Sequence, residues 1–419
     1  MSTAAFFDEL ETRDPVERER ALMQALAGQV AQAQARAPAF AELLRGVEAR
    51  SIDSRAALAR LPVTRKYELL ALQQQRRAES PFGGFAAIGW GAAMRRVFQS
   101  PGTLYEPEGA RPDYWRIARA LFAAGLRAGE LAHNSFSYHL TPAGSMMETG
   151  AHALGCTVFP GGVGNTELQL QAIAELRPQA YVGTPSFLKI LLDKAAEAQP
   201  SGPALSIRKA LVSGEAFPPS LRDWLLERGV AAYQCYATAD IGLIAYETAA
   251  REGLVLDEGV IVEIVRPGSG DPVPEGEVGE VVVTTLNPDY PLIRFGTGDL
   301  SAVLPGRCPT GRSNTRIKGW MGRADQSAKV RGMFVHASQV AEILRRFPVA
   351  TRARLVVEGE MAQDRMTLKL EVAEPAEGLA QQVASAVRDI TKLRAEVELL
   401  PPGSLPNDGR VIEDARRYD

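Results

Sequence analysis

The chain has 419 residues, with 47 Lys and Arg against 50 Asp and Glu, so it lacks the positive excess of proteins that neutralise nucleic-acid phosphates. Its 46% hydrophobic and 23% charged residues are typical of globular proteins, and no run approaches the ~20 apolar residues that span a bilayer. We therefore expect no nucleic-acid partner and no membrane segment. The acidic start is unlike a signal peptide, which predicts a cytoplasmic location.

The predicted elements change along the chain. Residues 1–80 have apolar positions at helical spacing and predict a helical start. From about residue 94, short apolar runs bounded by Gly or Pro alternate with longer periodic stretches, which is typical of strand–helix–strand units. Residues 254–305 are rich in Val and Ile between turn residues and predict a β-rich, antiparallel or barrel-like subdomain. The expected fold class is therefore α/β with a mostly parallel sheet.

The segment after Gly319 predicts a small α+β lobe. Its pattern indicates, in order, a helix over 337–347, strands over 352–358 and 366–372, and a helix over 376–392. We divide the chain into an N-terminal domain over 1–322, a hinge over 323–326 and a mobile C-terminal lid domain over 327–419.

Five motifs stand in a fixed order: LPVTRK at 61–66, YVGTPS at 181–186, VSGEAF at 212–217, PLIRFGTGD at 291–299 and GRADQSAKVRG at 322–332. In order and spacing they resemble the phenylacetate–CoA ligase family of adenylate-forming enzymes. The resemblance covers nearly the whole chain. It implies a large adenylate-forming domain followed by a small mobile domain.

The resemblance also implies a two-step reaction. A small, aromatic or similarly flat carboxylic acid attacks ATP to give an acyl-adenylate and pyrophosphate, and coenzyme A then displaces AMP. The implied cofactors and partners are ATP or AMP, Mg²⁺, CoA and the acid, and a homodimer is expected because dimers occur in the family. Phosphoryl chemistry of this kind depends on positioning, positive charge and a metal ion.

Residues 98–107 stand where the family has its phosphate loop. Ser100, Gly102 and Thr103 match that loop, whose backbone N–H groups and hydroxyls bind phosphate. Pro101 removes one N–H, and Glu106 stands where a Lys is often found. A carboxylate ~4 Å from a phosphate charge would repel it by roughly 4 kcal/mol at an effective dielectric of about 20. By itself the segment also fits an ordinary surface turn.

The nucleoside contacts follow from three further motifs. Tyr236 matches the aromatic ring that packs on adenine, and Asp299 matches the carboxylate that accepts both ribose hydroxyls. Arg323 matches a second ribose or phosphate ligand, with a solvated ion pair as the alternative. The full predicted nucleotide set is Ser100, Gly102, Thr103, Gly214, Glu215, Ala216, Tyr236, Ala237, Thr238, Asp299 and Arg323. Residues 214–216 fit a plain strand-to-helix turn equally well.

Two residues are predicted to be catalytic. Asp240 stands where the family has a magnesium-binding Glu, and its alternative role is to cap a helix beginning near Ile241. Arg410 stands where the family has a Lys that reaches the α-phosphate, and a solvated Arg in a polar tail is its alternative. Asp325 matches the hinge about which the small domain turns.

The acyl pocket is predicted to comprise Phe136, Tyr138, Gly214 and Tyr236, with core packing as the alternative. Residues 161–165 match a structural glycine loop of the family. Cys308 lies in an element that binds zinc in some relatives, but Thr310 replaces the second Cys, so we predict no zinc.

Two other functions stay open. The departures at the phosphate loop, at Asp240 and at Arg410 also fit a nucleotide- or acyl-adenylate-binding protein with little ligase activity. An adenylate-forming enzyme that transfers the acyl group to an acceptor other than CoA fits them too.

Overall fold

The computed structural model describes residues 5–100, 103–198, 205–265, 270–324, 327–359, 363–406 and 411–416. It separates into two compact units, Met1–Gly322 and Arg323–Asp419.

The helices of the first unit include the helical start that the spacing of apolar residues predicts. The longest begins after Asp14, whose carboxylate accepts hydrogen bonds from the N–H groups of Val16 and Glu17, and it buries Leu26 and Val30. The α-helices are α1 (Pro15–Arg36), α2 (Pro38–Leu43), α3 (Arg55–Leu58), α4 (Lys66–Arg76), α5 (Ala118–Ala123), α6 (Ala143–Leu154), α7 (Thr166–Leu176), α8 (Pro185–Ala198) and α9 (Pro219–Glu227), and 3-10 helices span Glu9–Thr12 and Ala49–Ser51.

The strands of the first unit are short, and most of them are buried. They are β1 (Thr64–Arg65), β2 (Met94–Ser100), β3 (Leu104–Gly109), β4 (Leu131–Asn134), β5 (Thr157–Pro160), β6 (Ala180–Gly183), β7 (Lys209–Val212), β8 (Ala231–Thr238), β9 (Gly242–Glu247), β10 (Leu254–Leu256), β11 (Val260–Val265), β12 (Gly279–Thr285), β13 (Phe295–Ser301), β14 (Val303–Leu304) and β15 (Arg316–Ile317).

The main sheet has the strand order β14-β15-β10-β9-β8-β7-β6-β4-β5 within the described residues. Strands β5, β4, β6, β7 and β8 are parallel, and helices connect them along the chain. The runs predicted as strands at 155–160, 180–185 and 209–213 are β5, β6 and β7. The predicted α/β fold is confirmed, but the sheet is mixed rather than mostly parallel, because strands β8, β9, β10, β15 and β14 pair antiparallel.

The β-rich segment 254–305 is divided between two sheets, which differs from the single subdomain that we predicted. Strands β11, β12 and β13 form an antiparallel sheet to which β1 adds in parallel. Strand β10 instead pairs with β9, and β14 reaches the main sheet through β15. The connection from β9 to β10 is short, which favours pairing between these consecutive strands.

The segment predicted as a phosphate loop, residues 98–107, includes the end of one strand, a turn that contains Thr103 and the start of the next strand. Strands β2 and β3 pair antiparallel, and their register places Ser100 opposite Leu104. Thr103 lies in this turn in a left-handed conformation with φ of 66°. The hairpin therefore holds Ser100 at the end of a strand, beside the turn.

The second unit is an α+β lobe, as the pattern predicted. Strands β16 and β17 form a hairpin, and the other sheet has the order β20-β19-β18-β21 within the described residues. Helices α10 and α11 contribute Ile343 and Val383 to a core that includes Leu355 and Leu368. The elements are β16 (Ser327–Val330), β17 (Met333–His336), α10 (Ala337–Arg346), β18 (Ala350–Glu358), β19 (Arg365–Val372), α11 (Leu379–Thr391), β20 (Glu396–Leu400) and β21 (Ile412–Asp414).

Within the described residues, no helix combines the length and the apolarity needed to cross a membrane.

Candidate active site

Two of the sequence motifs meet in the fold. Strand β1 lies within motif 61–66 and pairs in parallel with β13, which begins within motif 291–299, so that Thr64 lies opposite Phe295. The Thr64 hydroxyl also donates a hydrogen bond of 2.7 Å to a backbone carbonyl of the second motif. Lys66, the first residue after β1, begins α4 and is thereby fixed at the edge of this sheet.

Arg294 ties the same two segments together from inside the protein. Its guanidinium is buried, with Nε 3.0 Å from the Glu263 carboxylate. The guanidinium also donates hydrogen bonds to the carbonyl oxygens of Ala59 and Leu61. A buried charge needs this full set of partners, and here they set the path of the chain that leads to Lys66.

Lys66 lies in a cluster of oxygen atoms from three other segments. Its Nζ is 3.1 Å from Ser100 Oγ, 3.1 Å from Asp240 Oδ2 and 3.9 Å from Glu106 Oε1. Ser100 in turn donates a hydrogen bond of 2.6 Å to Glu106 Oε1. The cluster therefore places an ammonium group beside the hydroxyl of the predicted phosphate loop.

Glu106 is enclosed in this cluster, contrary to our expectation of a carboxylate facing the phosphates. Its side chain is fully buried. Burial raises the pKa of Glu106 well above the ordinary value, and the nearby Asp240 carboxylate raises it further, while Lys66 acts in the opposite direction. Glu106 therefore keeps its proton to a higher pH than an exposed glutamate does.

Asp240 lies in the tight connection between β8 and β9. The alternative that Asp240 caps a helix near Ile241 is wrong, because Gly242 begins a strand antiparallel to β8. Ala237 and Thr238 are the last residues of β8, and the Thr238 hydroxyl accepts a hydrogen bond from Ile241 N. The turn directs the buried Asp240 carboxylate towards Lys66.

Tyr236 and Asp299, the residues predicted to contact the nucleoside, lie together in the fold. The Tyr236 hydroxyl donates a hydrogen bond of 2.8 Å to Asp299 Oδ2, and Trp320 Nε1 lies 3.2 Å from Asp299 Oδ1. The Asp299 N–H donates to the Thr297 hydroxyl. A carboxylate has about four lone-pair sites, so Asp299 can accept these bonds and ribose hydroxyls as well.

The segment after β7 carries Gly214, Glu215 and Ala216. Gly214 has φ of 86°, which glycine adopts without strain, and a Cβ atom there would lie 3.6 Å from the Phe136 ring. The Glu215 carboxylate accepts a hydrogen bond of 2.7 Å from Ser186 N in the first turn of α8. Phe136 and Gly214 are thus brought together, and the Glu215 side chain serves the neighbouring helix.

Tyr138 packs against α6. Its hydroxyl donates a hydrogen bond of 2.7 Å to Glu148 and accepts one from Asn134 Nδ2, and a Cβ atom on Gly144 would clash with its ring. Core packing, the alternative that we noted for this segment, therefore accounts for these contacts of Tyr138.

Comparison with known proteins identifies the family to which this site belongs. The family model described as AMP-binding enzyme matches residues 137–287. The phenylacetate-coenzyme A ligase of Thermus thermophilus is 32% identical over 435 residues, which cover 95% of this chain and 96% of that protein. The chain belongs to the phenylacetate–coenzyme A ligase family.

Further comparisons agree with this assignment. The phenylacetate-coenzyme A ligase of Aromatoleum evansii is 30% identical over 381 residues, covering 85% of this chain and 84% of that protein. A solved structure of 2-hydroxyisobutyryl-CoA ligase with 2-HIB-AMP and CoA has a TM-score of 0.83 at 24% identity. It covers 100% of this chain and 94% of that one, which supports the adenylate-forming fold.

Not every residue predicted from the ligase family can be located in the site. Arg323 belongs to the second unit, where its Nε lies 3.2 Å from Ser327 Oγ and its guanidinium lies 5.1 Å from the centre of the Phe334 ring. Three predicted residues lie outside the described part of the chain: Gly102, Asp325 and Arg410.

Sequence reasoning missed two residues of this ligase site. Lys66 appears in the sequence only as the last residue of motif 61–66, and the one signal for a role in the site is its charge at the start of a helix. Trp320 precedes the hinge motif and gave no signal, because its contact with Asp299 depends on how the strands are arranged.

Two other ligase-family segments have structural contacts. Gln169 Nε2 donates hydrogen bonds to the carbonyl oxygens of Gly162 and Gly164, and these bonds anchor the glycine loop as a structural element. Cys308 Sγ lies 3.1 Å from the Thr310 hydroxyl and 3.4 Å from the Thr248 hydroxyl.

Proposed function

We propose that this chain is an AMP-forming acid–CoA ligase that activates a small aromatic carboxylic acid. The observation that carries the proposal is the cluster of Lys66, Ser100 and Asp240 in a member of the phenylacetate–coenzyme A ligase family. Strand β8 links this cluster to the nucleoside residues, because it carries Tyr236 and ends just before Asp240. Tyr236, which bonds to Asp299, and Asp240, which bonds to Lys66, are therefore only four residues apart in the chain.

In the first step, a carboxylate oxygen of the acid attacks the α-phosphorus of ATP and pyrophosphate leaves with the bond electrons. Lys66 and Ser100 are the groups that bind phosphate oxygens, and Asp299 accepts the ribose hydroxyls. The protein contributes positive charge and orientation, which is what this chemistry requires. Arg410 is proposed to add a second positive charge at the α-phosphate.

Magnesium would be held by Asp240. Its Oδ1 atom is buried and has no hydrogen-bond partner among the described residues. Such an oxygen fits the preference of Mg²⁺ for one or two carboxylates together with substrate phosphates. When bound, the ion neutralises phosphate charge.

In the second step, the CoA thiol attacks the acyl carbonyl, loses its proton and displaces AMP. The proposed rotation of the small domain about Asp325 separates the two steps, with Arg323 carried on the moving side. We also propose a homodimer in the cytoplasm, following the expectations from the sequence.

The aromatic character of the substrate rests on two observations. Phe136 is buried beside Gly214. At the end of β7, a flat aromatic ring therefore lies next to a residue without a side chain. The relatives from two organisms are named for phenylacetate, an aryl acid. We propose Phe136, Gly214 and Tyr236 as the aryl pocket, with Tyr138 supporting it through α6.

The test is pyrophosphate release from ATP with a panel of aryl acids, followed by mass spectrometry of the products with CoA. The proposal expects acid-dependent pyrophosphate and an acyl-CoA product. Acid-dependent pyrophosphate without acyl-CoA would favour another acceptor. AMP binding with no pyrophosphate release for any acid would favour the binding-protein alternative.

A further inference from the structure

We propose that Glu106 is a positioning residue of the phosphate site, which orients the Lys66 ammonium through the hydroxyl of Ser100. This inference rests on the ligase function proposed above. Glu106 places a carboxyl group beside the predicted phosphate loop.

The hydrogen bonds give the cluster a direction. A serine hydroxyl has one proton and two lone pairs, and Ser100 donates that proton to Glu106 Oε1 over 2.6 Å. The lone pairs of Ser100 therefore remain to accept from Lys66 Nζ, which lies 3.1 Å away. Without the acceptor at Glu106, the hydroxyl could turn its proton towards the ammonium.

A second set of contacts holds the ammonium from the other side. Lys66 Nζ is also 3.1 Å from Asp240 Oδ2, and both carboxyl groups are buried. The Lys66 side chain nevertheless stays 39% exposed, so it borders the solvent from which ATP arrives. The buried acids thus fix an ammonium that remains accessible to phosphate.

The hairpin explains why Glu106 can do this. Ser100 ends β2 and Glu106 lies on β3, opposite Phe98 in the register, so paired strands hold both groups. Glu108 on the same strand is equally buried but binds other groups: its Oε1 pairs with Arg96 and its Oε2 accepts from Trp115 and Ser145. Glu108 is therefore a matched control: it is a buried glutamate on the same strand, but its carboxylate contacts other residues.

The experiment compares Glu106→Ala, Glu106→Gln, Lys66→Ala, the double variant Lys66→Ala/Glu106→Ala, and Glu108→Ala. ATP binding is measured by calorimetry. Adenosine binding is measured by competition and serves as the comparison, because adenosine lacks phosphates. Glu106→Ala is expected to weaken ATP binding about 10-fold or more and adenosine binding less than about two-fold. Glu106→Gln is expected to restore ATP binding to near wild type, because its amide oxygen still accepts from Ser100.

The coupling between the two residues decides the result. If Glu106 acts through Lys66, the double variant binds ATP no more weakly than Lys66→Ala alone. Additive losses would overturn the proposal, and so would unchanged ATP binding in Glu106→Ala or an equal ATP-specific loss in Glu108→Ala.

If Glu106→Ala does not fold, Ser100→Ala interrupts the same chain of hydrogen bonds, and unchanged ATP binding in that variant would overturn the proposal. A wild type that binds adenosine but not ATP would instead contradict the ligase function itself.

Discussion

At the scale of single residues, the proposed site divides into a nucleoside part and a phosphate part. Asp299 is held by Tyr236 and Trp320, while Lys66 is held by Ser100 and Asp240. The two parts share β8 but have separate hydrogen bonds. Each part can therefore be tested by its own substitution.

Asp299→Ala is expected to weaken AMP binding about 10- to 100-fold, because it removes charged acceptors for the ribose hydroxyls. Isothermal calorimetry with AMP measures the effect. Asp223→Ala, an equal truncation at an exposed position of α9, is the control and should bind as wild type. Equal affinity of wild type and Asp299→Ala, or no AMP binding by wild type, would contradict the assignment.

His133 gives a residue-scale prediction for stability. Its ring is buried, and its Nε2 lies 2.7 Å from Gln169 Oε1. Burial lowers the pKa of His133 below the ordinary 6.5, so the unfolded chain binds more protons than the folded chain as the pH falls through that value. Stability is therefore retained above pH 6.5 and lost below it.

His133→Gln should remove this part of the acid sensitivity. Between pH 7 and pH 5, the free energy of unfolding of wild type should fall faster than that of the variant, by up to about 1.4 kcal/mol per pH unit. Urea unfolding at several pH values measures the difference. Exposed His152→Gln is the control, and a wild-type profile parallel to that of His133→Gln would refute the account.

At the scale of elements, the pairing of β1 with β13 is what delivers Lys66 to the site. Arg294 stabilises this arrangement from within the protein, where its guanidinium bonds to Glu263 and to carbonyl oxygens of the segment before β1. The contact between Lys66 at the start of α4 and Ser100 thus depends on a buried ion pair that lies outside the Lys66 cluster.

Arg294→Met should therefore lower the free energy of unfolding by about 3–5 kcal/mol, because it leaves the Glu263 charge buried without its partner. Chemical denaturation measures the change. Arg111→Met is the matched control: its side chain is 47% exposed and pairs with Asp289, so its loss should cost at most about 1 kcal/mol. Similar losses for the two variants would contradict the role given to Arg294.

The elements also show which predictions the sequence supports. Strands β5, β6 and β7 were predictable because Gly and Pro bound each short apolar run. The sheet to which β10 belongs was not predictable, because local pattern does not specify strand partners. The Lys66–Asp240 contact joins residues 174 positions apart, and Glu106 was misjudged because its burial depends on this distant neighbour.

At the scale of the whole molecule, the chain has two compact units that meet in sequence at Gly322 and Arg323. The family motif at this boundary leads us to propose that the second unit turns between the two half-reactions. Proline fixes φ and lacks an N–H, so it restricts a rotating backbone far more than alanine does.

Asp325→Pro should therefore impair one half-reaction more than the other, whereas Asp325→Ala should affect both only slightly. Adenylation is measured as acid-dependent pyrophosphate release, and thioester formation as CoA consumption from a preformed adenylate. Equal impairment of both half-reactions by proline, or equal effects of proline and alanine, would argue against a hinge at this residue.

The measurement that tests the ligase proposal most directly is a crystal structure of the protein soaked with ATP, Mg²⁺ and an aryl acid. The account predicts an acyl-adenylate with its ribose hydroxyls on Asp299, its phosphate within hydrogen-bond distance of Lys66 Nζ and its ring beside Phe136. An adenylate bound away from Asp299 and Lys66 would contradict it. So would crystals that contain AMP at Asp299 without an acyl group, if they are soaked with acids that support pyrophosphate release in solution.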